Sequence, residues 1–195
     1  HTYRGLANDF IGSKRVEAKQ CWIDFFQYHT SQEFYNEVLT IFNETRWIKD
    51  EKVKVRHTEG DAKIVTDTQF VIHQPTTGTT RSTHIDNPLE IYAGLLYMRQ
   101  RGDNAKGGDF VIYDAPEINK VVAKTGREIP KDIEKKEHKK ITYKENTFVM
   151  FLNTNKSVHG VTPRENALHD RLSINIIAEA EKKLGPLFKL NEIVQ

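Results

Sequence analysis

Two short stretches most restrict how this chain can fold: Ser82-Thr83-His84-Ile85-Asp86-Asn87-Pro88 and Ser157-Val158-His159-Gly160-Val161. Asp86 and His159 lie 73 positions apart, so their side chains meet only if the fold lays the second stretch beside the first. If a β-strand carries His84 and Asp86, the spacing of two aims both side chains at one face of the sheet. A distant strand must then deliver His159. Two imidazoles and one carboxylate on one face of an octahedral ion leave three of its positions open to other ligands. A His-x-Asp alone weighs little, since eight His among 195 residues produce one by chance about 0.45 times.

The run that follows adds weight. Asp170-Arg171-Leu172-Ser173-Ile174-Asn175-Ile176-Ile177 reads as a β-branched strand, and again the i, i+2 spacing puts Arg171 and Ser173 on one face. A guanidinium beside a hydroxyl is a good receptor for a carboxylate, because the planar fork binds both oxygens. A triad of metal donors followed by a carboxylate clamp is far more specific than either part.

With His-x-Asp, a distal His and Arg-x-Ser in that order, the chain resembles the Fe(II)/2-oxoglutarate-dependent dioxygenases over about residues 64 to 179. Gly107-Gly108-Asp109-Phe110, after Leu95-Leu96-Tyr97-Met98, is similar to the Gly-Gly-acidic segment of prolyl-hydroxylase-like members. Collagen-type prolyl hydroxylases usually place Lys where this chain has Arg171, so a prolyl substrate does not follow. Related halogenases lack the carboxylate that Asp86 supplies, which favours oxygenation. The resemblance implies Fe(II) on His84, Asp86 and His159, with 2-oxoglutarate chelating it and its far carboxylate held by Arg171 and Ser173. O2 is the other co-substrate. The implied outcome is hydroxylation of an unactivated C–H with release of succinate and CO2. A small metabolite or sugar is the first expectation for the substrate and a peptide side chain the second. Two other classes stay open: a zinc hydrolase using the same three donors, which would not need Arg171 and Ser173, and a non-catalytic cupin-like binding protein.

The pattern along the chain points to a mainly β fold of α+β type: a double-stranded β-helix, or cupin-like jelly roll, with flanking helices. At 195 residues one domain is expected, with a helical buttress over 1–50, a jelly-roll core over 52–179 and a tail over 180–195. The apolar cluster Ile23, Phe25 and Phe26 has no clear register. Thr30-Ser31-Gln32-Glu33 reads as a capping box opening a helix to about Thr45, with Phe34, Val38, Ile41 and Phe42 on one face. Strands are expected at 52–56, 64–73, 90–99, 109–113, 140–143, 147–153, 157–161 and 171–178. Residues 115–140, highly charged and with Pro116 and Pro130, read as an inserted surface excursion, partly helical around Ile133 to His138. A last helical turn is expected over 179–184.

Charge and composition bound the partners. The net charge of +2, left from 29 basic and 27 acidic residues, gives no reason to expect nucleic acid or a membrane surface. Cys21 is the single cysteine, so an intrachain disulfide is impossible and a reducing, cytoplasmic setting is expected. No run reaches the length of a membrane span, and no signal-peptide pattern opens the chain at His1. Among the remaining polar residues, Gln69 and Tyr97 are expected to line a pocket, Arg164 to face solvent or substrate, and His169 to be solvated.

Overall fold

A computed structural model of the protein describes residues 2–13, 15–42, 52–56, 60–75, 81–118 and 128–188. The alternating segments form strands, and the described residues give two sheets. The strands are β1 (Thr2–Gly5), β2 (Val53–Val55), β3 (Ile64–His73), β4 (Glu90–Tyr97), β5 (Phe110–Asp114), β6 (Lys136–Ile141), β7 (Thr147–Leu152), β8 (His159–Val161) and β9 (Arg171–Ala180). The larger sheet runs β1-β3-β9-β4-β7, with β2 added in parallel to β3. The smaller runs β6-β5-β8. Three helices, α1 (Ala7–Ile11), α2 (Gln20–His29) and α3 (Gln32–Ile41), fall between β1 and β2. This is the double-stranded β-helix with flanking helices that the pattern predicts.

β9 is the centre of the larger sheet, paired along ten residues with β3, from Ile64 opposite Ala180 to His73 opposite Arg171. Its parity divides the molecule. Ile174, Ile176, Ala178 and Ala180 are buried with Phe34, Tyr35 and Val38 of α3, together with Ile64, Ile91 and Tyr92. Burying each of the larger side chains stabilises the fold by about 1.5–3 kcal/mol. Arg171, Ser173, Asn175 and Ile177 leave the opposite face and line a cavity between the sheets. The same parity on β3 sends Gln69, Val71 and His73 to that cavity. A second apolar cluster, Tyr97, Phe110 and Tyr143 with Phe151 and Ile141 against it, ties the two sheets together.

Local chemistry sets the helix ends, one residue from the expected place. Ser31 caps α3, its hydroxyl accepting from the Phe34 N–H at 3.1 Å. Thr30 instead closes α2, donating to the Phe26 carbonyl at 2.7 Å. The expected extension of α3 to Thr45 runs past Phe42 into residues outside those described. Two elements differ outright from the sequence reading. Lys136–Ile141 is an antiparallel strand on β5, not a helix around Ile133 to His138. All but its last residue are exposed, so no apolar alternation marks it in the sequence. Glu179 and Ala180 continue β9, and a single 3-10 turn follows at Lys182–Leu184. The larger sheet also takes β1 from the first five residues, outside the 52–179 core. Among the described residues, no helix is long and apolar enough to cross a membrane.

Candidate active site

The triad is assembled by one β-bridge. His84 donates its N–H to the His159 carbonyl at 2.8 Å, and His159 returns the bond at 3.0 Å, so the two residues sit directly opposite each other. Residues 85–87 belong to no strand, which corrects the expectation of a strand carrying His84 and Asp86. The two side chains still reach one site. The intervening Ile85 is buried with Ile118, Ile129 and Val158. Gly160 permits the approach: a Cβ there would stand 3.2 Å from the Thr83 Cα.

The donor atoms converge. His84 Nε2 lies 3.3 Å from one Asp86 carboxylate oxygen and His159 Nε2 lies 3.4 Å from the other. The three donor atoms are all within 4.8 Å of one another. Each imidazole gives its Nδ1 to the main-chain carbonyl two residues earlier, Ser82 at 2.7 Å and Ser157 at 2.8 Å. A proton held on Nδ1 leaves the lone pair on Nε2, the tautomer a metal ion needs. Arg81 Nε already uses that lone pair on His84, at 3.2 Å. Burial pushes His159 down to about 4, against the pull of the Asp86 charge, so it is neutral near pH 7. Burial also pushes the Asp86 carboxyl up. The neighbouring His84, His159 and Arg81 groups outweigh it and hold the group below the usual carboxylate range. Neutral imidazoles and an ionised carboxylate are the forms that coordinate metal, so this donor set fits a divalent ion.

Across the cavity stands the clamp. Arg171 is 3% exposed, and its Nε donates to the Gly108 carbonyl at 3.2 Å. Its guanidinium carbon lies 4.9 Å from the Tyr97 ring centre and 4.8 Å from that of Tyr143. Among the described residues no carboxylate pairs with it. Burial lowers the guanidinium from its ordinary value, yet an arginine stays charged. A buried cation without an anion is costly, and the cavity is where an anion can supply the missing charge. Ser173, 1% exposed, faces the same space two residues along β9. Gly107 and Gly108 carry the chain past this point at φ of 73° and 79°. A Cβ on Gly107 would fall 1.9 Å from the Pro163 carbonyl oxygen.

The cavity encloses about 370 Å³ and joins the two halves: His84, Asp86 and His159 line one part, Arg171 and Ser173 another. Gln69 lines it as expected, whereas Tyr97 lies behind Arg171 as part of its aromatic seat. Phe110 and Phe151 flank the His159 ring at 5.3 and 4.8 Å between centroids. Arg164 does not face solvent or cavity. It is 1% exposed and pairs with the buried Asp103 carboxylate at 2.9 Å, a structural ion pair. His169 is half-buried rather than solvated, and its carbonyl accepts from Arg164. Sequence reasoning missed Arg4, His73 and Arg81, all of which line the cavity. For His73 a signal existed: it shares the odd parity of Gln69 on β3.

A jelly roll that gathers two histidines and a carboxylate beside a counter-ion-free arginine defines the class of mononuclear non-heme metal oxygenases that use a carboxylate-bearing co-substrate. The family model described as the 2OG-Fe(II) oxygenase superfamily matches residues 68–178, and the chain belongs to that superfamily. The superfamily's metal and co-substrates are Fe(II), 2-oxoglutarate and O2, and the donor set of His84, Asp86 and His159 fits the metal. One solved structure agrees on the fold. A prolyl 4-hydroxylase from Phytophthora capsici aligns with a TM-score of 0.51 at 14% identity, over 92% of this chain and 48% of its own. A Pseudomonas putida prolyl-4-hydroxylase aligns with a TM-score of 0.48 at 15% identity, over 91% of this chain and 68% of its own. A protein named IDO from Bacillus thuringiensis aligns with a TM-score of 0.47 at 15% identity, over 75% of this chain and 54% of its own. The chain thus spans about half the length of the Phytophthora enzyme. No curated protein matches the sequence.

Proposed function

We propose that the protein hydroxylates an unactivated C–H bond of a small metabolite or sugar, with His84, Asp86 and His159 as the iron ligands and Arg171 with Ser173 as the seat of the 2-oxoglutarate far carboxylate. The observation that carries this reading is the pairing, within one cavity, of a convergent Nε2/Nε2/carboxylate set with a buried guanidinium that has no acid partner. A zinc hydrolase would use the triad but leave Arg171 without a ligand to justify its burial. The volume of about 370 Å³, part of it taken by the co-substrate, suits a small substrate.

His84, Asp86 and His159 would hold the iron, which when bound would supply the redox chemistry by which 2-oxoglutarate, O2 and R–H become succinate, CO2 and R–OH. The chain's own residues do the rest. The Ser82 and Ser157 carbonyls fix the imidazole tautomers. The Tyr97 and Tyr143 rings and the Gly108 carbonyl fix Arg171, so the far end of the co-substrate determines where its keto-acid end lies. Burial raises the Tyr97 phenol to about 12, which keeps it a neutral neighbour of the cation. Phe110 and Phe151 flank the His159 ring and give that side of the cavity an apolar wall that excludes water.

The test is iron- and 2-oxoglutarate-dependent release of succinate, followed by a metabolite screen for compounds that raise it and appear with one added oxygen. Succinate without added iron, or no dependence on 2-oxoglutarate, contradicts the reading. Stimulation only by peptides would reassign the substrate class.

A further inference from the structure

His73 ends β3 opposite Arg171, the first residue of β9. Cross-strand partners leave the same face of a sheet with their Cβ atoms close, and both side chains line the cavity. The His73 Nδ1 is buried without a hydrogen-bond partner among the described residues. The Arg171 main chain favours a proton on the ring but does not complete a well-aligned bond to it. Two guanidiniums bear on the ring, Arg171 from β9 and Arg4 from β1. Among the described residues no acid is among the groups that act on the ring, although Glu90 lines the same cavity. Asp67, the nearest acid on the same face of β3, is already used by Arg56, by Gln69 and by the Ala7 N–H. Gln69 is used in turn by Arg4, which donates to it at 2.8 Å.

A buried imidazole nitrogen without a hydrogen-bond partner among the described residues, beside two guanidiniums, is a receptor missing its ligand. We propose that His73 is the second arm of the carboxylate receptor: as 2-oxoglutarate enters, His73 takes one proton from solvent and donates an N–H to the far carboxylate opposite Arg171. This rests on the reading that Arg171 and Ser173 hold that carboxylate.

The charge balance explains why proton and ligand arrive together. In the free protein, burial first, then Arg171 and Arg4, hold His73 at about 4, so it is neutral near pH 7. A proton there would add a further positive charge to a cluster that already holds two. A dianion reverses the sign of the local field, and the charged imidazole then becomes the favoured form. The sign follows from linkage. The bound-state value lies above the free-state value, so binding takes up a proton between the two and affinity tightens as pH falls. The effect disappears at higher pH, where His73 stays neutral in both states. His73 lies 11 positions before His84 and is not among the triad's donor atoms, and saturating metal keeps the triad imidazoles unprotonated.

The test is calorimetric titration of 2-oxoglutarate into the Mn(II)-saturated full chain under argon, in PIPES and in ACES, whose ionisation heats differ. At about pH 6.5 the two buffers should report net proton uptake, shrinking toward zero by about pH 8. His73→Gln should abolish the uptake and weaken 2-oxoglutarate about tenfold, the loss of one hydrogen bond to a charged group, with Mn(II) affinity unchanged. No uptake by the wild-type chain overturns the proposal, and so does uptake that survives in His73→Gln. If His73→Gln does not fold by thermal melting, the wild-type measurement still decides. Arg171→Ala separates the two claims. If it weakens 2-oxoglutarate while wild-type uptake is absent, only the role of His73 fails. If it leaves the affinity unchanged, the carboxylate seat itself has been misassigned.

Discussion

The two sides of the cavity are built on different principles. Arg171 and Ser173 stand on β9, which is paired along its length with β3 and, over most of it, with β4, above a core that includes Ile174 and Ile176. His84 and Asp86 stand on a segment outside any strand, joined to β8 by the His84–His159 bridge and the bond from the Val161 N–H to the Arg81 carbonyl, and to Glu128 by a second bridge, with each imidazole fixed by a carbonyl only two residues away. The clamp is therefore as rigid as the whole fold. The triad is rigid only as far as a few local bonds make it so, and metal binding itself completes the site. The comparison predicts that changes beneath β9 act on global stability, whereas changes around the bridge act on metal affinity.

The largest effect should come from the triad. His84→Ala or His159→Ala leaves two protein donors and should remove iron-supported turnover by a factor of about 100 or more, with a matching loss of metal affinity. Thermal stability in the absence of metal should change little or rise, because a buried imidazole is removed. Metal titration and melting together check both halves; unchanged metal affinity would remove the triad assignment.

Next comes Arg171→Ala. It should weaken 2-oxoglutarate by about 2–5 kcal/mol while leaving metal affinity intact, since the lost contact is charge-assisted and buried. Arg171→Lys should recover only part, because a point charge replaces the fork seated between Tyr97 and Tyr143.

A matched pair sharpens the contrast between the two sides. Ile176→Ala, beneath β9, should lower global stability by about 2–5 kcal/mol in chemical denaturation. Ile85→Ala, between the two ligands, should cost less in global stability and more in metal affinity. Equal effects of the two on denaturation, with no change in metal binding, would mean that the bridge segment is as integral to the core as β9.

Acid should produce the smallest and most gradual change. His159 is held at about 4 by burial against about 6.5 in an unfolded chain. The unfolded state therefore takes up the proton first as pH falls, and metal-free stability should decline between those two values. For this group the loss is at most about 3 kcal/mol. Saturating metal should move the decline to lower pH, because the ion competes with protons for Nε2. A melting-temperature series from pH 7 to 4, with and without metal, is the check.

How much the sequence revealed follows the same division. β3, β4, β7 and β9 were legible as runs of β-branched, aromatic and other apolar residues between turn signals, with β4 apolar on both faces, and the i, i+2 rule put Arg171 and Ser173 on one face of β9. The triad was legible as a pattern of residue types, although no strand carries His84 and Asp86 and only His84 pairs, through isolated bridges to His159 and Glu128. What stayed hidden was held by partners outside the local window. β6 is almost fully exposed and exists because it pairs with β5. The Trp22, Phe25 and Phe26 side of α2 lacks a side-chain cap at Lys19 that would announce a helix. Arg164 looked like a surface or pocket cation because Asp103 lies 61 positions away. His73 looked idle because its partner Arg171 lies across a strand pair.

The most direct test of the account is a crystal structure of the chain with Mn(II) and 2-oxoglutarate under argon. The account predicts one ion bound by the Nε2 atoms of His84 and His159 and by the Asp86 carboxylate, with the far carboxylate of the co-substrate against Arg171 and Ser173. An ion held by other residues, or a co-substrate whose far carboxylate leaves Arg171 without a partner, would contradict it.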